Sequence, residues 1–487
     1  MESNQEARMK PNIIFIVIDA VRAKNVGAYG YDKPTTPNID KIAQEGVLFR
    51  NAYSCINYTD SSLTSIFSGI YPLGHGILHH GGGLGDKEVK GFIQSGIKLL
   101  PEILRSEGYA TIALDWMGRW HRRGYDYYGG IKGSQKSGLI DRVIEMVSVH
   151  RYPQLVRRGM FYLRHQARRE AYAAKPMTDL AIDLIAKNST RPFFLFIHYW
   201  DVHQGLNPPR HYSHLFRHLD YSFTLGSTYK IRDVIRFPHE TRSVRLAKAL
   251  LMRNKTVGER IREYDASIRY VDDEIGRLME TLRKSGIANQ TLVILTSDHG
   301  ESLSEHQIYF DHHGLYEVSI HVPLIMRYPE ALPGGKVSEG FVQHVDLVPT
   351  ILDLLDINYP REDFDGESLM PLICEGKQLR SSVYVEEAYA QRKRAVRTQK
   401  YEYIKALSEE EAICRLCNRI HGGVEELYDL ESDPEQNHNL VEDRPETAKA
   451  MQSLLSEWIA YLEQKKARRD TAKVKDRISK LKHLGKL

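Results

Sequence analysis

The chain has 487 residues, of which 42% are hydrophobic and 27% charged, and its formal net charge is +4. This is the balance of an ordinary globular protein, long enough for one large domain with a smaller appendage, and the mild charge gives no reason to expect a nucleic-acid partner. Four cysteines exclude a disulfide framework, and the longest apolar run, from Ile13 to Ile18, is far too short to cross a bilayer. The first residues carry no signal-peptide pattern, so the chain is expected to be cytoplasmic.

In chain order, Asn12-Ile-Ile-Phe-Ile-Val-Ile-Asp19 reads as a buried parallel strand that ends on a carboxylate. Tyr29-Gly30-Tyr31 and Pro34-Thr-Thr-Pro37 are turn material, and 38–46 is predicted as a capped helix closed by a glycine. A helix is predicted over 99–108, a strand over 109–114, and a helix over 177–187 before the apolar strand 193–198. A long amphipathic helix over 261–285 leads into a second apolar strand, Leu292-Val-Ile-Leu-Thr296, which ends on Ser-Asp298-His299-Gly300-Glu301. Helices alternating with apolar strands predict an α/β fold, a large doubly wound and mostly parallel sheet.

Two aromatic and basic segments, about 129–176 and 211–256, break the rhythm and are expected as helical insertions over one face. After Pro360 the pattern changes. Tyr384-Val-Glu, Arg394-Ala-Val-Arg397 and Tyr401-Glu-Tyr-Ile404 read as short antiparallel strands, with a closing helix over 446–465. The expected organisation is a catalytic domain over 11–360, a smaller C-terminal α+β subdomain over 361–464, and a basic tail over 465–487.

Open α/β sheets place their chemistry at the carboxyl ends of strands. Asp19 from one strand end and Asp298 with His299 from another suit a divalent cation. Between them lies Asn51-Ala-Tyr-Ser-Cys55-Ile-Asn-Tyr-Thr59-Asp-Ser61-Ser-Leu63, running on to Ser68-Gly69-Ile-Tyr-Pro72. This order resembles the sulfatase family of the alkaline phosphatase superfamily. Gly118-Arg119-Trp120-His121, Trp200-Asp201-Val-His203, Phe310-Asp-His312-His313-Gly-Leu-Tyr-Glu317, His344-Val-Asp346 and Leu427-Tyr-Asp-Leu extend the resemblance over most of residues 11–460.

The resemblance implies an alkaline-phosphatase-like fold with its nucleophile ten residues before Gly69. In sulfatases that residue is a formylglycine made from cysteine. Here it is Thr59, the Pro and Arg of the modification signal are Ser61 and Leu63, and Cys55 stands four residues too early. Thr59 is therefore the expected nucleophile. The resemblance further implies one divalent metal ion held by Asp19, Thr59, Asp298 and His299, with Arg119, His121, His203, His312 and His313 meeting the oxygens of an anionic ester. The family often carries a second acidic residue where Ala20 stands, and Asn where His299 stands. Trading an oxygen ligand for nitrogen moves the site from calcium towards Mn, Zn or Fe, with Ca and Mg still open.

A threonine hydroxyl needs a base or a metal to become a nucleophile. A formylglycine hydrate releases sulfate by collapsing to the aldehyde, whereas a threonine ester must be attacked at phosphorus or sulfur. The expected substrate is thus a phosphodiester, phosphonate or phosphoethanolamine-type ester, on a glycan or lipid, cleaved by hydrolysis or transferred to an acceptor. The alternatives are a true sulfuric ester hydrolase, and an inactive member that binds an anionic glycan. The tail 465–487, with ten Lys or Arg against two Asp, and the stretch 151–169 are expected as solvated faces or as contacts to a membrane surface. Cys414-Arg-Leu-Cys417 followed by His421 has zinc-like spacing but no fourth ligand nearby, and reads as two thiols in a loop.

Overall fold

The computed structural model describes residues 10–130, 172–188, 190–203, 208–221, 226–234 and 255–483. Its main sheet contains β1 (Asn12–Ile18), β2 (Val47–Tyr53), β3 (Ala110–Leu114), β4 (Tyr127–Tyr128), β5 (Phe193–Tyr199), β6 (Thr291–Thr296), β7 (Leu324–Arg327) and β8 (Lys336–Gln343). The spatial order is β4-β3-β5-β1-β6-β7-β2-β8, and only β7 runs against its neighbours. Side chains of β1 alternate between two cores: Ile14, Ile16 and Ile18 into one, and Ile13, Phe15 and Val17 into the other. A strand buried on both faces must be apolar throughout, which is why β1, β5 and β6 are near-continuous hydrophobic runs.

Helices α1 (Pro37–Gln44), α4 (Ala174–Lys187) and α5 (Val257–Lys284) cover one face, while α2 (Thr59–Ser68), α3 (Leu100–Ser106) and α6 (Leu347–Leu354) cover the other. A capping box starts α5, with the Glu259 amide donating to Thr256 Oγ1 at 3.1 Å and the Thr256 amide donating to Glu259 Oε2 at 2.7 Å. In register, Val17 of β1 lies beside His198 of β5 and Thr296 of β6. Three central strands therefore end at one edge and deliver Asp19, His198 and Asp298 together.

A second, antiparallel sheet of order β12-β11-β10-β9 is built from β9 (Ser382–Glu387), β10 (Lys393–Thr398), β11 (Tyr401–Ala406) and β12 (Glu425–Asp429). It packs under α7 (Pro445–His483) through Met451, Leu455 and Leu462 against Tyr384, Val396 and Leu427. The fold class is the expected one. Unforeseen were β4, β12 and the three strands β7, β2 and β8 that extend the main sheet beyond β6, and α2, whose ten residues are all buried and show no amphipathic stripe.

The expected tail is no separate segment, because α7 continues unbroken through residue 465. Lys465 and Lys466 donate to the carbonyls of Phe364 and Leu73 at 2.9 and 3.1 Å, and Arg469 pairs with the buried Asp365. The other basic stretch, 151–169, and most of the insertions at 129–176 and 211–256 lie outside the described residues. Among the described residues no helix is long and apolar enough to cross a membrane.

Behind α2, the buried His75 holds Ser65 Oγ through Nε2 at 3.0 Å and accepts the Ile77 amide on Nδ1 at 3.0 Å. Burial, then Lys466 and Arg469, push this imidazole down to about 3. Protonation would set a new N–H against the Ile77 N–H. A histidine held neutral in the fold contributes stability that is complete above its unfolded pKa and is lost as pH falls towards the folded value. Wild type should therefore lose about 2 kcal/mol relative to His75→Gln between about pH 7.5 and about pH 5. Paired urea melts check this, and a stability difference independent of pH would contradict it.

Candidate active site

Asp19 follows β1 directly, and both its carboxylate oxygens are buried without a hydrogen-bond partner among the described residues. The next residue, Ala20, is held at φ +61°, an expensive conformation for a side chain with a Cβ. It is fixed there by its N–H on Asp298 Oδ1 at 3.3 Å and by the Tyr264 hydroxyl on its carbonyl at 2.7 Å. The other oxygen of Asp298 also lacks a partner. His299 donates from Nδ1 to the Gly300 carbonyl at 2.8 Å, which leaves Nε2 as a bare acceptor.

That bare nitrogen lies 3.7 Å from Asp19 Oδ1, 3.4 Å from Asp298 Oδ2 and 3.4 Å from Thr59 Oγ1. Burial, only partly opposed by Asp298, holds His299 below its ordinary value, while burial and the charge of Asp298 raise Asp19 well above the carboxylate range. Two carboxylates and an imidazole lone pair aimed at one another and wholly buried repel unless a cation lies among them. The donor set therefore fits a divalent metal ion, as ligand atoms of Asp19, Asp298 and His299 all lie within 4.8 Å of one another.

Thr59 is the first residue of α2, so its hydroxyl sits at the positive end of the helix, where the first-turn N–H groups lack intrahelical partners. The helix is clamped to β6 by Ser62 Oγ donating to the Asp298 carbonyl at 2.6 Å. Beneath it, His344 bridges Ser62 Oγ and Thr296 Oγ1 at 3.3 and 3.4 Å. Cys55, by contrast, is buried with Tyr71, Val345 and Tyr384 in the core that α7 covers, and burial pushes its thiol up.

Arg119 and His121 reach the site through a residue the sequence reading passed over. Asp60 is wholly buried beside Thr59, and it pairs with Arg119, with His121 Nε2 at 3.2 Å and with His80 Nδ1 at 3.0 Å. It also accepts the Gly81 amide at 2.9 Å. Burial pushes Asp60 up, but the hydrogen bonds from His121 and His80 overcome this and hold it well below the usual range. His203 and His312 gather round His299, with ring centroids 6.1 and 4.1 Å from it. Burial first, then the neighbouring His299, hold His203 down to about 3 and His312 well below its ordinary value. His312 Nδ1 donates to the Asn57 carbonyl at 2.6 Å, leaving Nε2 bare.

His313, expected at this same site, is instead grouped with Cys414, Cys417 and His421. The sequence reading also missed His198, wholly buried at the end of β5. Its Nδ1 is 3.0 Å from Asp115 Oδ1 and its Nε2 3.8 Å from Asp19 Oδ2. At that distance the imidazole faces Asp19 without a hydrogen bond to it, while Asp115 fixes the ring from the other side. A histidine closing an apolar parallel strand was the signal that could have revealed it.

A model of the family described as Sulfatase matches residues 11–357, and one described as N-sulphoglucosamine sulphohydrolase, C-terminal, matches 304–465. The chain is 26% identical to an N-acetylglucosamine-6-O-sulfatase of Bacteroides thetaiotaomicron, over 93% of this chain and 86% of the relative. It is likewise 26% identical to an arylsulfatase of Clostridium perfringens, over 89% and 90%. A solved structure in complex with D-glucosamine-2-N,6-O-disulfate superposes with a TM-score of 0.69 at 22% identity, covering 93% of this chain and 98% of that one. The phosphonate monoester hydrolase of Agrobacterium radiobacter superposes with a TM-score of 0.65 at 19% identity, covering 94% and 96%. At these identities the two structures speak for the fold alone.

Proposed function

The chain belongs to the sulfatase family and is an ester hydrolase, and from that premise we propose that it cleaves phosphodiester or phosphonate esters through a covalent intermediate on Thr59. One observation carries this reading: a threonine hydroxyl, not a cysteine open to formylglycine formation, stands 3.4 Å from His299 Nε2, beside Asp19 and Asp298, whose carboxylates leave three oxygens without a hydrogen bond among the described residues. Asp19, Asp298 and His299 would hold the cation, with Thr59 Oγ1 as a further donor. When bound, a divalent cation lowers the pKa of that hydroxyl and neutralises charge growing on the ester oxygens.

The rest falls to the chain. The Thr59 oxygen attacks phosphorus and the bond to the departing alcohol breaks, the hydroxyl proton passing to that alcohol oxygen, which leaves Thr59 esterified to the phosphoryl or phosphonyl group. Arg119, held by the ionised Asp60, and the first-turn amides of α2 meet the nonbridging oxygens where negative charge develops. Water then attacks phosphorus, with its proton accepted by the bare Nε2 of His312 and returned to the Thr59 oxygen as the bond from Thr59 to phosphorus breaks.

The second reading is hydrolysis of a sulfated sugar with unmodified Thr59, favoured by the names of the relatives, both sulfatases. Four p-nitrophenyl substrates separate the two: the sulfate, the phosphate monoester, the phosphate diester and the phenylphosphonate. Diester or phosphonate turnover is expected to exceed sulfate turnover by on the order of 100-fold in kcat/KM. Sulfate turnover above every phospho rate would reverse the assignment.

A further inference from the structure

We infer that His313, Cys414, Cys417 and His421 form a second metal site, a tetrahedral Cys2His2 zinc centre that staples the loop carrying His312 to a hairpin of the C-terminal part. The ligand atoms of these four residues all lie within 4.8 Å of one another, apart from the Asp19, Asp298 and His299 group. Two thiolates and two imidazoles are a donor set that selects zinc. At zinc–sulfur and zinc–nitrogen lengths of about 2.3 and 2.0 Å, tetrahedral ligands stand roughly 3.3–3.8 Å apart, a separation this cluster reaches with small side-chain adjustments.

The environment is built for it. His313, His421 and Cys414 are buried, and both cysteines are free thiols. Nδ1 of His421 is 3.0 Å from the carbonyl of His306, so it donates there and leaves Nε2 bare, 3.0 Å from Cys417 Sγ. That is the backbone support a metal-binding imidazole ordinarily has. Neither ring nitrogen of His313 meets hydrogen-bond geometry among the described residues, its Nδ1 facing Asp311 Oδ1 at 3.4 Å. With Nδ1 turned to Asp311, a buried Nε2 that makes no hydrogen bond is costly unless a ligand completes it.

The backbone agrees. The Cys414 amide donates to the Arg419 carbonyl and the Asn418 amide to the Cys414 carbonyl, both at 2.8 Å, with Asn418 turned to φ +59°. An isolated bridge between Ile413 and Ile420 closes this hairpin, and both isoleucines face solvent. Its apolar support among the described residues is small: Tyr58, Ala390 and Cys414 are buried, with Tyr389, Leu416 and Cys417 half-buried against them. So slight a hairpin gains its order from a crosslink.

The consequence for catalysis is one of position. His312 and His313 are neighbours whose rings go to different centres, and Tyr58, in contact with the hairpin, precedes Thr59. Zinc at the hairpin would hold both in place from outside the reacting atoms.

The test is metal content of the full chain, purified reduced and with zinc supplied. Asp19→Asn should retain about one zinc per chain at the cysteine site, while Cys414→Ser and Cys417→Ser in that background should fall below about a tenth. Cobalt-substituted Asp19→Asn should show thiolate-to-cobalt charge-transfer absorption that the serine variants lack. Should those variants fail to fold, titration of Asp19→Asn with an organomercurial must release one zinc as Cys414 and Cys417 react, beyond the equivalent taken up by the exposed Cys374. Zinc content independent of the cysteines, or a zinc-free protein with a Cys414–Cys417 disulfide by mass spectrometry, overturns the proposal. None of these readouts depends on Thr59 or on the substrate.

Discussion

Thr59→Ala is expected to lower kcat/KM for the best phospho substrate by on the order of 10⁴-fold or more, because removing a nucleophile leaves only binding and electrostatic stabilisation. Thr59→Ser keeps a hydroxyl at the start of α2 and should retain activity within about 100-fold of wild type. Thr59→Cys should not recover sulfatase activity, since Ser61 and Leu63 stand where the modification signal needs Pro and Arg. The helix stays anchored in these variants, as α2 is held by Ser62, His344 and its buried apolar side chains. Steady-state kinetics give the loss, and intact mass after rapid quenching reports the phospho adduct. Undiminished turnover by Thr59→Ala would exclude the covalent route.

Asp19→Asn should reverse the sign of the stability change with metal. In wild type, a divalent ion at about 100 times its Kd stabilises the fold by about 2.7 kcal/mol. The variant, having lost a carboxylate ligand, should show almost none of this. Without metal the order inverts. Asp19 and Asp298 are wholly buried and close, and burial, then Asp298, lifts Asp19 well above its usual range. A carboxylate with a raised pKa destabilises the fold as pH rises through the unfolded value, so at neutral pH the uncharged Asn removes a penalty. Metal-free Asp19→Asn is therefore expected to melt above metal-free wild type, and metal-loaded wild type above both. Differential scanning calorimetry with and without chelator measures all four states. A variant less stable than wild type under chelation would show that Asp19 serves packing rather than a cation.

Much of this centre was legible because its signals are local. Asp19, Asp298 and His299 close apolar runs, and such a run with a charged end has few uses other than a buried strand carrying a ligand. Thr59 became legible by counting from Gly69 within one contiguous motif. α2 was not, because Thr59-Asp-Ser-Ser-Leu-Thr-Ser-Ile-Phe-Ser has no helical stripe and is a helix only where the tertiary structure buries it on all sides. β7 and β8 are short or mixed in pattern, and sheet pairing supplied what periodicity did not.

The chain sequence by itself determined the candidate chemistry: which carboxylates and which imidazole stand at strand ends, and a hydroxyl in place of a cysteine ten residues before Gly69. Tertiary structure decided which other groups join them. His198 faces Asp19 only because β5 pairs with β1, an adjacency across about 180 positions that no local pattern encodes. Asp60 becomes the anchor for Arg119 and His121 because the turn at Gly118 docks on α2. His312 and His313 are identical neighbours in sequence. The backbone sends one ring to His299 and the other to Cys414 and Cys417, residues about 100 positions away. Residue type sets what a group can do; the direction of its Cα–Cβ bond in the folded chain sets where it does it.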